Sequence, residues 1–184
     1  MEQALVFASI VLGVGVAFEV ENLNRLLRAK NVRWHWAQPF FALLTLLLIM
    51  SYWWNIAASE EDSITMGEFL PIMWTLVTLN LLAAVSLPDE IDANGLDLAV
   101  YYQQNRRYMW SLLFFSGLPH EILWLREQAY AFPNLGTWLL VVWGDLVAYA
   151  IMFALIFVQR WWIIAVGMSF LALATMSWYS RTLG

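Results

Sequence analysis

The feature that most constrains the fold of this chain is the recurrence of long apolar runs. A helix needs about 20 consecutive, mostly apolar residues to cross about 30 Å of hydrocarbon. Six runs come close to or exceed that length: 3–20, 36–58, 68–88, 108–126, 137–159 and 161–180. They leave no space for a separate soluble domain. The sequence therefore predicts an all-α membrane protein, with residues 1–184 forming one transmembrane domain that is a bundle of six transmembrane helices.

The composition agrees with this class of protein. Hydrophobic residues make up 62% of the chain and charged residues 12%, against about 45–50% and about 25% in an average soluble domain. A transmembrane barrel would need strands that alternate apolar and polar residues, and runs such as "ALLTLLLIM" do not alternate. The absence of cysteine excludes disulfides and thiolate-bound clusters, and we expect no cofactor.

The distribution of basic residues predicts the orientation of the bundle. Seven of the nine Lys and Arg residues fall in three loops on one side: Arg25, Arg28, Lys30, Arg33, Arg106, Arg107 and Arg160. Cytoplasmic loops are enriched in such residues, so both termini are expected on the non-cytoplasmic side, together with the acidic loop "SEEDSITMGEF". The first segment opens "MEQ" and lacks a basic n-region, so we interpret it as a membrane helix and not as a signal peptide.

The basic side also predicts contacts. Anionic lipid headgroups attract basic residues next to a membrane helix, whereas nucleic-acid binding needs a denser basic patch, so no nucleic-acid partner is expected. We expect lipid or partner contacts at the cytoplasmic surface from five arginines: Arg25, Arg28, Arg33, Arg106 and Arg107.

Local signals predict where helices begin and end. Thr65 and Glu68 have the spacing of a capping box at the outer start of the third helix. Pro88 follows the end of that helix, and Asn94-Gly95 has the composition of a turn. After this turn, "LDLAVYYQQNRRYMW" is expected to form one helix that continues into the fourth span.

One segment resembles a known family. Its motifs are Leu87-Pro88-Asp89, Asp97-Leu98, Tyr101-Tyr102, and Arg106-Arg107 followed by Tyr108. With the preceding "VRWHWAQPFFALLTLLLIMSYWW", residues 25–115 resemble a widespread, largely uncharacterised family of small bacterial multi-pass membrane proteins. The resemblance implies an integral protein of the bacterial inner (plasma) membrane, and it implies no activity and no site residues.

Polar residues within the spans are the candidates for function. A charge near the bilayer centre costs about 2.5–3.5 kcal/mol on insertion scales and is usually retained for a purpose. At about 1.5 Å per residue, Asp145 is expected about 12 Å below the outer surface. Glu121 is expected about 7 Å below it, with His120 beside it. Tyr52 and Asn55 reach a similar depth, so the sequence predicts an ion, proton or ligand site in the outer half of the bundle.

Pro119 predicts a kink at this site. A proline inside a helix removes the hydrogen bond to the carbonyl four residues earlier, here that of Phe115. We expect the "GLPHE" kink to line a water-filled pocket in which Glu121 and Asp145 share a proton or bind a cation. His120 would join this relay, because imidazole titrates near neutral pH. The chain has no spaced His/Cys motif, so no metal site is predicted.

Structural alternatives remain for each of these polar groups. Glu121 can lie among headgroups near Arg126, and Asp145 can be paired with Tyr149 or His120 for packing alone. Interhelical hydrogen bonds explain such residues in many membrane proteins. The same choice applies to four further positions, which either pack the bundle or extend a path toward Glu19: Gln38, Thr45, Tyr52 and Asn80.

Two functional hypotheses follow. The first is a small channel or carrier for protons or a small cation, forming a homo-oligomer or working alone. The second is a non-transporting accessory or sensor protein that binds a membrane-protein partner or lipid. No nucleophile–base pair or phosphate-binding loop is present, so no catalytic residue is assigned and an enzyme is the weakest of the three options.

Overall fold

The computed structural model describes residues 2–58, 65–91 and 95–176. This part of the chain is helical apart from short connections. Its six helices are α1 (Glu2–Arg28), α2 (Ala37–Ala57), α3 (Met66–Ser86), α4 (Leu98–Ala131), α5 (Leu135–Phe157) and α6 (Trp161–Met176). The all-α architecture predicted from the sequence is confirmed.

Four of these helices contain a segment long and apolar enough to cross a membrane: Leu5–Arg28, Ala37–Ala57, Met66–Ser86 and Leu135–Phe157. This property indicates a membrane protein. Helix α6 is apolar but shorter over its described length, Trp161–Thr175. Helix α4 has 34 residues and combines an apolar stretch with a polar start and end.

Helix α1 continues well past the predicted end of the first span. The apolar run ends near residue 20, but the helix extends to Arg28 and includes Glu19, Asn22 and Arg25. Polar residues do not end a helix when one face still packs, and Asn22 and Leu26 are buried. Most of the predicted first loop is therefore helical.

The predicted helix boundaries around α3 and α4 are confirmed. The Thr65 hydroxyl accepts a hydrogen bond from the Glu68 backbone N–H, and the Glu68 carboxylate accepts one from the Thr65 N–H, which completes the capping box. Helix α4 runs unbroken from Leu98 through Pro119 to Ala131.

A short parallel strand pair joins the segments that follow α1 and α3. Strands β1 (Val32–Arg33) and β2 (Leu96–Asp97) pair in parallel, and Gly95 precedes the second strand with φ +95°. A Cβ at Gly95 would collide with the backbone oxygen of Asn31, which accepts a hydrogen bond from the Leu96 N–H. Only glycine suits this turn, as the Asn-Gly signal predicted. Five residues of other sequence expectations lie outside the described residues: Glu60, Glu61, Asp62, Asn94 and Arg181.

The helices surround one apolar core. Around the bundle the contacts follow the order α1, α3, α4, α5, α6 and α2, and α2 also contacts α3 and α4. The largest fully buried side chains are Trp110, Tyr102 and Phe41. Helix α5 is covered least, since only Val142, Leu155 and Ile156 are buried on it. The outer parts of α4 and α5 therefore form an edge of the bundle.

The residues that carry the family resemblance have packing roles on the predicted cytoplasmic side. Asp97 caps α4 by accepting hydrogen bonds from the Ala99 and Val100 N–H groups, and its carboxylate lies 3.3 Å from Arg33 Nη1. Arg106 is 3% exposed, and its Nε donates to the Ile156 carbonyl at 3.2 Å. The expected lipid or partner contact of Arg106 does not fit this burial, because its guanidinium is used inside the protein.

Candidate functional site

The five residues predicted to meet in the outer half of the bundle separate into two pairs and one outlying residue. The first pair joins α2 to α4. Tyr52 Oη lies 3.2 Å from His120 Nε2, and the two rings are stacked with their centroids 5.7 Å apart. Tyr52 Oη also lies 3.4 Å from the Ile72 carbonyl of α3. This pair is half-buried where three helices meet.

The second pair joins α4 to α5. Glu121 and Asp145 lie within range of one another's charge, and Tyr149 lies within range of both. Asp145 Oδ2 accepts a hydrogen bond from Trp124 Nε1 at 3.2 Å. Glu121 Oε1 is buried and has no hydrogen-bond partner in the described part of the chain. The charges of the two carboxylates thus interact across α4 and α5, and no hydrogen bond joins them within the described residues. The sharing of a proton or cation between them stays a prediction.

The two pairs are separate because of helix geometry. Successive residues of an α-helix point about 100° apart, so His120 and Glu121 turn toward different neighbours. His120 faces α2, whereas Glu121 faces α5. The site lies at the edge of the bundle, beside the sparsely covered helix α5, and not at its centre.

Asn55 does not belong to either pair. It lines a cavity of about 420 Å³ between α1, α2 and α6, together with Ser9, Gly13, Trp53 and Thr175. The lining is mainly apolar, and the indole N–H of Trp53 donates to the Ser9 hydroxyl at 2.9 Å. This cavity lies on the side of α2 that faces α1 and α6, so Asn55 was placed with the outer cluster by depth alone.

Pro119 leaves the Phe115 carbonyl without its helical hydrogen bond, and a side chain of another helix donates to it instead. The Phe115 carbonyl accepts a hydrogen bond from Trp74 Nε1 of α3 at 2.6 Å. The adjacent Ser116 carbonyl accepts one from the Thr75 hydroxyl at 2.8 Å. These bonds fasten α3 to the proline-containing turn of α4. The carbonyl that was expected to line a water-filled pocket is instead part of a helix–helix contact, because α3 packs against this turn.

Of the four residues proposed to extend a path through the bundle, Thr45 and Asn80 are bonded within their own helices, whereas Gln38 and Tyr52 bond to other helices. The Thr45 hydroxyl donates to the Phe41 carbonyl at 3.0 Å, and the Asn80 amide donates to the Leu76 carbonyl at 2.9 Å. Polar side chains commonly satisfy themselves in this way inside membrane helices. The observed role of Thr45 and Asn80 is therefore a hydrogen bond within the helix and not a step in a path.

The sequence did not single out a second polar cluster at the other end of the bundle. Glu19 is 1% exposed, and Gln38 and Ser86 are fully buried. The Ser86 hydroxyl donates to Glu19 Oε1 at 2.9 Å, and the Gln38 amide donates to the Ser86 carbonyl. The detectable signal was a glutamate at the end of an apolar run, but the predicted end of the first span placed it at the membrane boundary.

The basic residues at this end differ in availability. Arg25 pairs with Glu21 at 2.5 Å and donates to the Asp89 carbonyl at 3.0 Å. Arg33 is exposed beside Asp97, and Arg28 and Arg107 are exposed. Two of the five arginines, Arg28 and Arg107, make no hydrogen bond or ion pair with the described part of the chain.

Among the residues that the structure describes, no group of three or more His, Asp or Glu side chains is arranged to hold a metal ion. Comparison with protein-family models, curated proteins and solved structures finds no match to this chain. The family resemblance of residues 25–115 therefore stays a prediction, and functional inference has to depend on the geometry of the two polar clusters.

Proposed function

We propose that this chain is a six-span protein of the bacterial inner membrane that conducts protons or a small cation. Both termini would lie on the non-cytoplasmic side, and Glu121 and Asp145 would be the groups that take up and release the ion. The observation that carries the proposal is the buried Oε1 of Glu121, which has no hydrogen-bond partner within the described residues, on a side chain within range of the Asp145 charge of α5.

The chemistry of this pair supports ion exchange. Two carboxylates close together in a medium of low dielectric repel one another when both are ionised, so they favour sharing a proton or binding a cation between them. Trp124 donates to Asp145 alone, which makes the two acids inequivalent. The unpartnered Glu121 oxygen is then the better acceptor for an incoming proton.

The edge position also supports exchange with the outer aqueous phase. Glu121 and Asp145 are both partly exposed, and the outer parts of α4 and α5 bury few side chains. The adjacent Tyr52–His120 pair supplies a second group that exchanges protons, one residue along α4. Proton transfer requires separations near 3 Å, and within this pair Tyr52 Oη lies 3.2 Å from His120 Nε2.

A flux assay in proteoliposomes tests the proposal. We expect Glu121→Gln and Asp145→Asn each to lower pH-driven or cation-driven flux at least tenfold, equivalent to about 1.4 kcal/mol, because an amide cannot carry the proton. Glu127→Gln is the matched control, since Glu127 is an exposed carboxylate on the same helix. Wild-type flux in both variants, or no flux in the wild type, would rule the proposal out.

The accessory or sensor function is the second candidate, and the exposed basic residues favour it. Arg28 and Arg107 are exposed on the predicted cytoplasmic side, where they suit anionic headgroups or an acidic partner. Purification from native membranes in a mild detergent distinguishes the two functions. A stoichiometric partner protein that is lost in Arg28→Ala and Arg107→Ala would support the accessory function.

A further inference from the structure

The polar cluster at the predicted cytoplasmic end is formed by three helices. Glu19 lies nine residues before the end of α1, or about 13 Å along the helix axis. Gln38 is the second residue of α2, and Ser86 is the last residue of α3. All three side chains are at least 99% buried. Glu19 is therefore buried where α1 packs against the start of α2 and the end of α3.

The hydrogen bonds of the cluster leave two acceptors without a donor. Glu19 Oε1 accepts from the Ser86 hydroxyl, and the Gln38 amide N–H donates to the Ser86 carbonyl. Glu19 Oε2 and Gln38 Oε1 are both buried, and neither has a partner within the described residues. Two unsatisfied acceptors around one serine are costly, since a buried polar atom without a hydrogen bond has lost its bonds to water and gained none in return. The cluster lacks a hydrogen-bond donor.

Among the described residues, Glu19 has no positively charged partner. The groups that face the cluster are neutral on every element packed there: Gln38 on α2, Ser86 on α3, and the Met109 thioether on α4, which lies 3.9 Å from the Gln38 amide nitrogen. On α1 itself, Asn22 donates to the Leu87 carbonyl.

Two arginines at this end of the bundle, Arg25 and Arg106, form their bonds with residues other than Glu19. Arg25 pairs with Glu21, and Arg106 donates to the Ile156 carbonyl and to Gln103 at 2.7 Å. No ion pair of Glu19 occurs in the part of the chain that the structure describes. A buried carboxylate without a counter-ion is strongly disfavoured compared with its neutral form.

We propose that Glu19 is a buried proton-binding site, in which the carboxyl group is protonated at neutral pH and Oε2 is the missing donor. Protonation turns one unsatisfied acceptor into an O–H donor and removes the unpaired charge, and it requires no added space. The free Gln38 oxygen is the acceptor of the cluster that still lacks a bond. The Ser86 hydroxyl lies 2.9 Å from Oε1 and 2.8 Å from the Ala83 carbonyl, so its single hydrogen is shared between these two acceptors. This site does not depend on ion conduction by Glu121 and Asp145.

Infrared difference spectroscopy of the purified protein in lipid tests this site. A protonated carboxyl group has a C=O stretch well separated from the bands of a carboxylate. At neutral pH we expect Glu19→Gln to remove one such band per chain. Glu21→Gln is the matched control on the same helix and should leave the band in place, because Glu21 is exposed and paired with Arg25.

Further variants separate this band from other acids and from failure to fold. Glu121→Gln should also leave the band intact, which keeps the result independent of the outer pair. Ser86→Ala should retain the band but shift its frequency, because the hydroxyl that donates to Oε1 is removed. If Glu19→Gln does not fold, this frequency shift assigns the band by itself.

The unfolding temperature measured in Na⁺ and in K⁺ tests the opposite possibility, that Glu19 is ionised and binds a cation. A protonated Glu19 predicts that Glu19→Gln, which has the shape of the neutral acid, unfolds at the wild-type temperature, and that Na⁺ in place of K⁺ affects the two proteins equally. A band unchanged in both Glu19→Gln and Ser86→Ala would overturn the proposal. So would a wild-type stability that rises with Na⁺ and loses this dependence in Glu19→Gln, since Glu19 would then be an ionised cation ligand.

Discussion

At the residue scale, hydrogen bonds to backbone carbonyls occupy most polar side chains within the helices. The hydroxyls of Thr45, Thr78 and Ser116 donate to carbonyls three or four residues earlier. The three side-chain atoms that remain buried and unpartnered belong to Glu19, Gln38 and Glu121, within the described residues. These three side chains are therefore the ones for which packing alone gives no sufficient account, and both proposals depend on them.

Gly117 shows how one missing Cβ sets the position of a group beside the acidic pair. A Cβ at this residue would lie 2.6 Å from the Tyr149 hydroxyl oxygen. We expect Gly117→Ala to displace Tyr149 and to lower the free energy of unfolding by about 1–3 kcal/mol, the usual cost of overpacking. Unfolding in mixed detergent micelles measures the change.

Two further variants isolate the cause of this effect. Gly144→Ala on α5 is the control, because a Cβ there meets nothing within 4 Å, and its stability should equal that of wild type or exceed it by up to about 1 kcal/mol, since alanine is the better helix former. Adding Tyr149→Phe to Gly117→Ala removes the atom that clashes and should restore much of the loss. Equal stability of the two glycine variants would show that Tyr149 moves without cost.

At the scale of elements, the contacts between helices explain which predictions held. The lengths of the apolar runs located six helices, and the capping box at Thr65 and Glu68 fixed the start of α3. The meeting of Glu121 and Asp145, predicted from their place in the outer half of consecutive helices, stays a prediction, although their charges interact. It did not reveal that Trp74 covers the Phe115 carbonyl, since a tryptophan in an apolar run predicts only burial or an interfacial position.

The start of α4 combines two interactions of Asp97 that a conservative substitution separates. Its carboxylate caps the helix at Ala99 and Val100 and also pairs with Arg33, whose side chain is 84% exposed. An exposed ion pair contributes little, whereas an N-cap contributes about 1 kcal/mol. We therefore expect Asp97→Asn to retain most of the stability and Asp97→Ala to lose about 1 kcal/mol.

Thermal unfolding of the two variants, compared with Arg33→Ala, measures this difference. Arg33→Ala is expected to remain within about 0.5 kcal/mol of wild type, because solvent screens the pair. A loss in Asp97→Asn as large as in Asp97→Ala, matched by Arg33→Ala, would show that the ion pair dominates and the cap does not.

At the scale of the whole molecule, the sequence does not predict which helices lie next to one another. Depth along a helix follows from residue counting, which placed Asn55 near His120, but the neighbours of a helix face do not follow from depth. Asn55 lines the cavity toward α1 and α6 instead. Arg106 looked like a headgroup contact because arginines beside a span usually are, yet tertiary packing uses it to bond Ile156. The sequence indicated Glu19 only as the inner end of a path, because the first span was expected to end near residue 20, whereas α1 extends to Arg28 and Glu19 is buried beside Ser86.

The orientation of the whole bundle yields a prediction that needs no functional assay. The chain has no cysteine, so single cysteines report on each side without background. With both termini outside the cytoplasm, Lys30→Cys and Gln159→Cys should react with a membrane-impermeant thiol reagent only after the cells are opened, because both lie in loops on the basic side. Tyr130→Cys, at a position 81% exposed near the end of α4, should react in intact spheroplasts.

The reverse pattern would place the Glu121–Asp145 pair on the cytoplasmic side and Glu19 on the other. In that case the positive-inside interpretation is wrong, and any ion flux would have to be assigned the opposite direction of access.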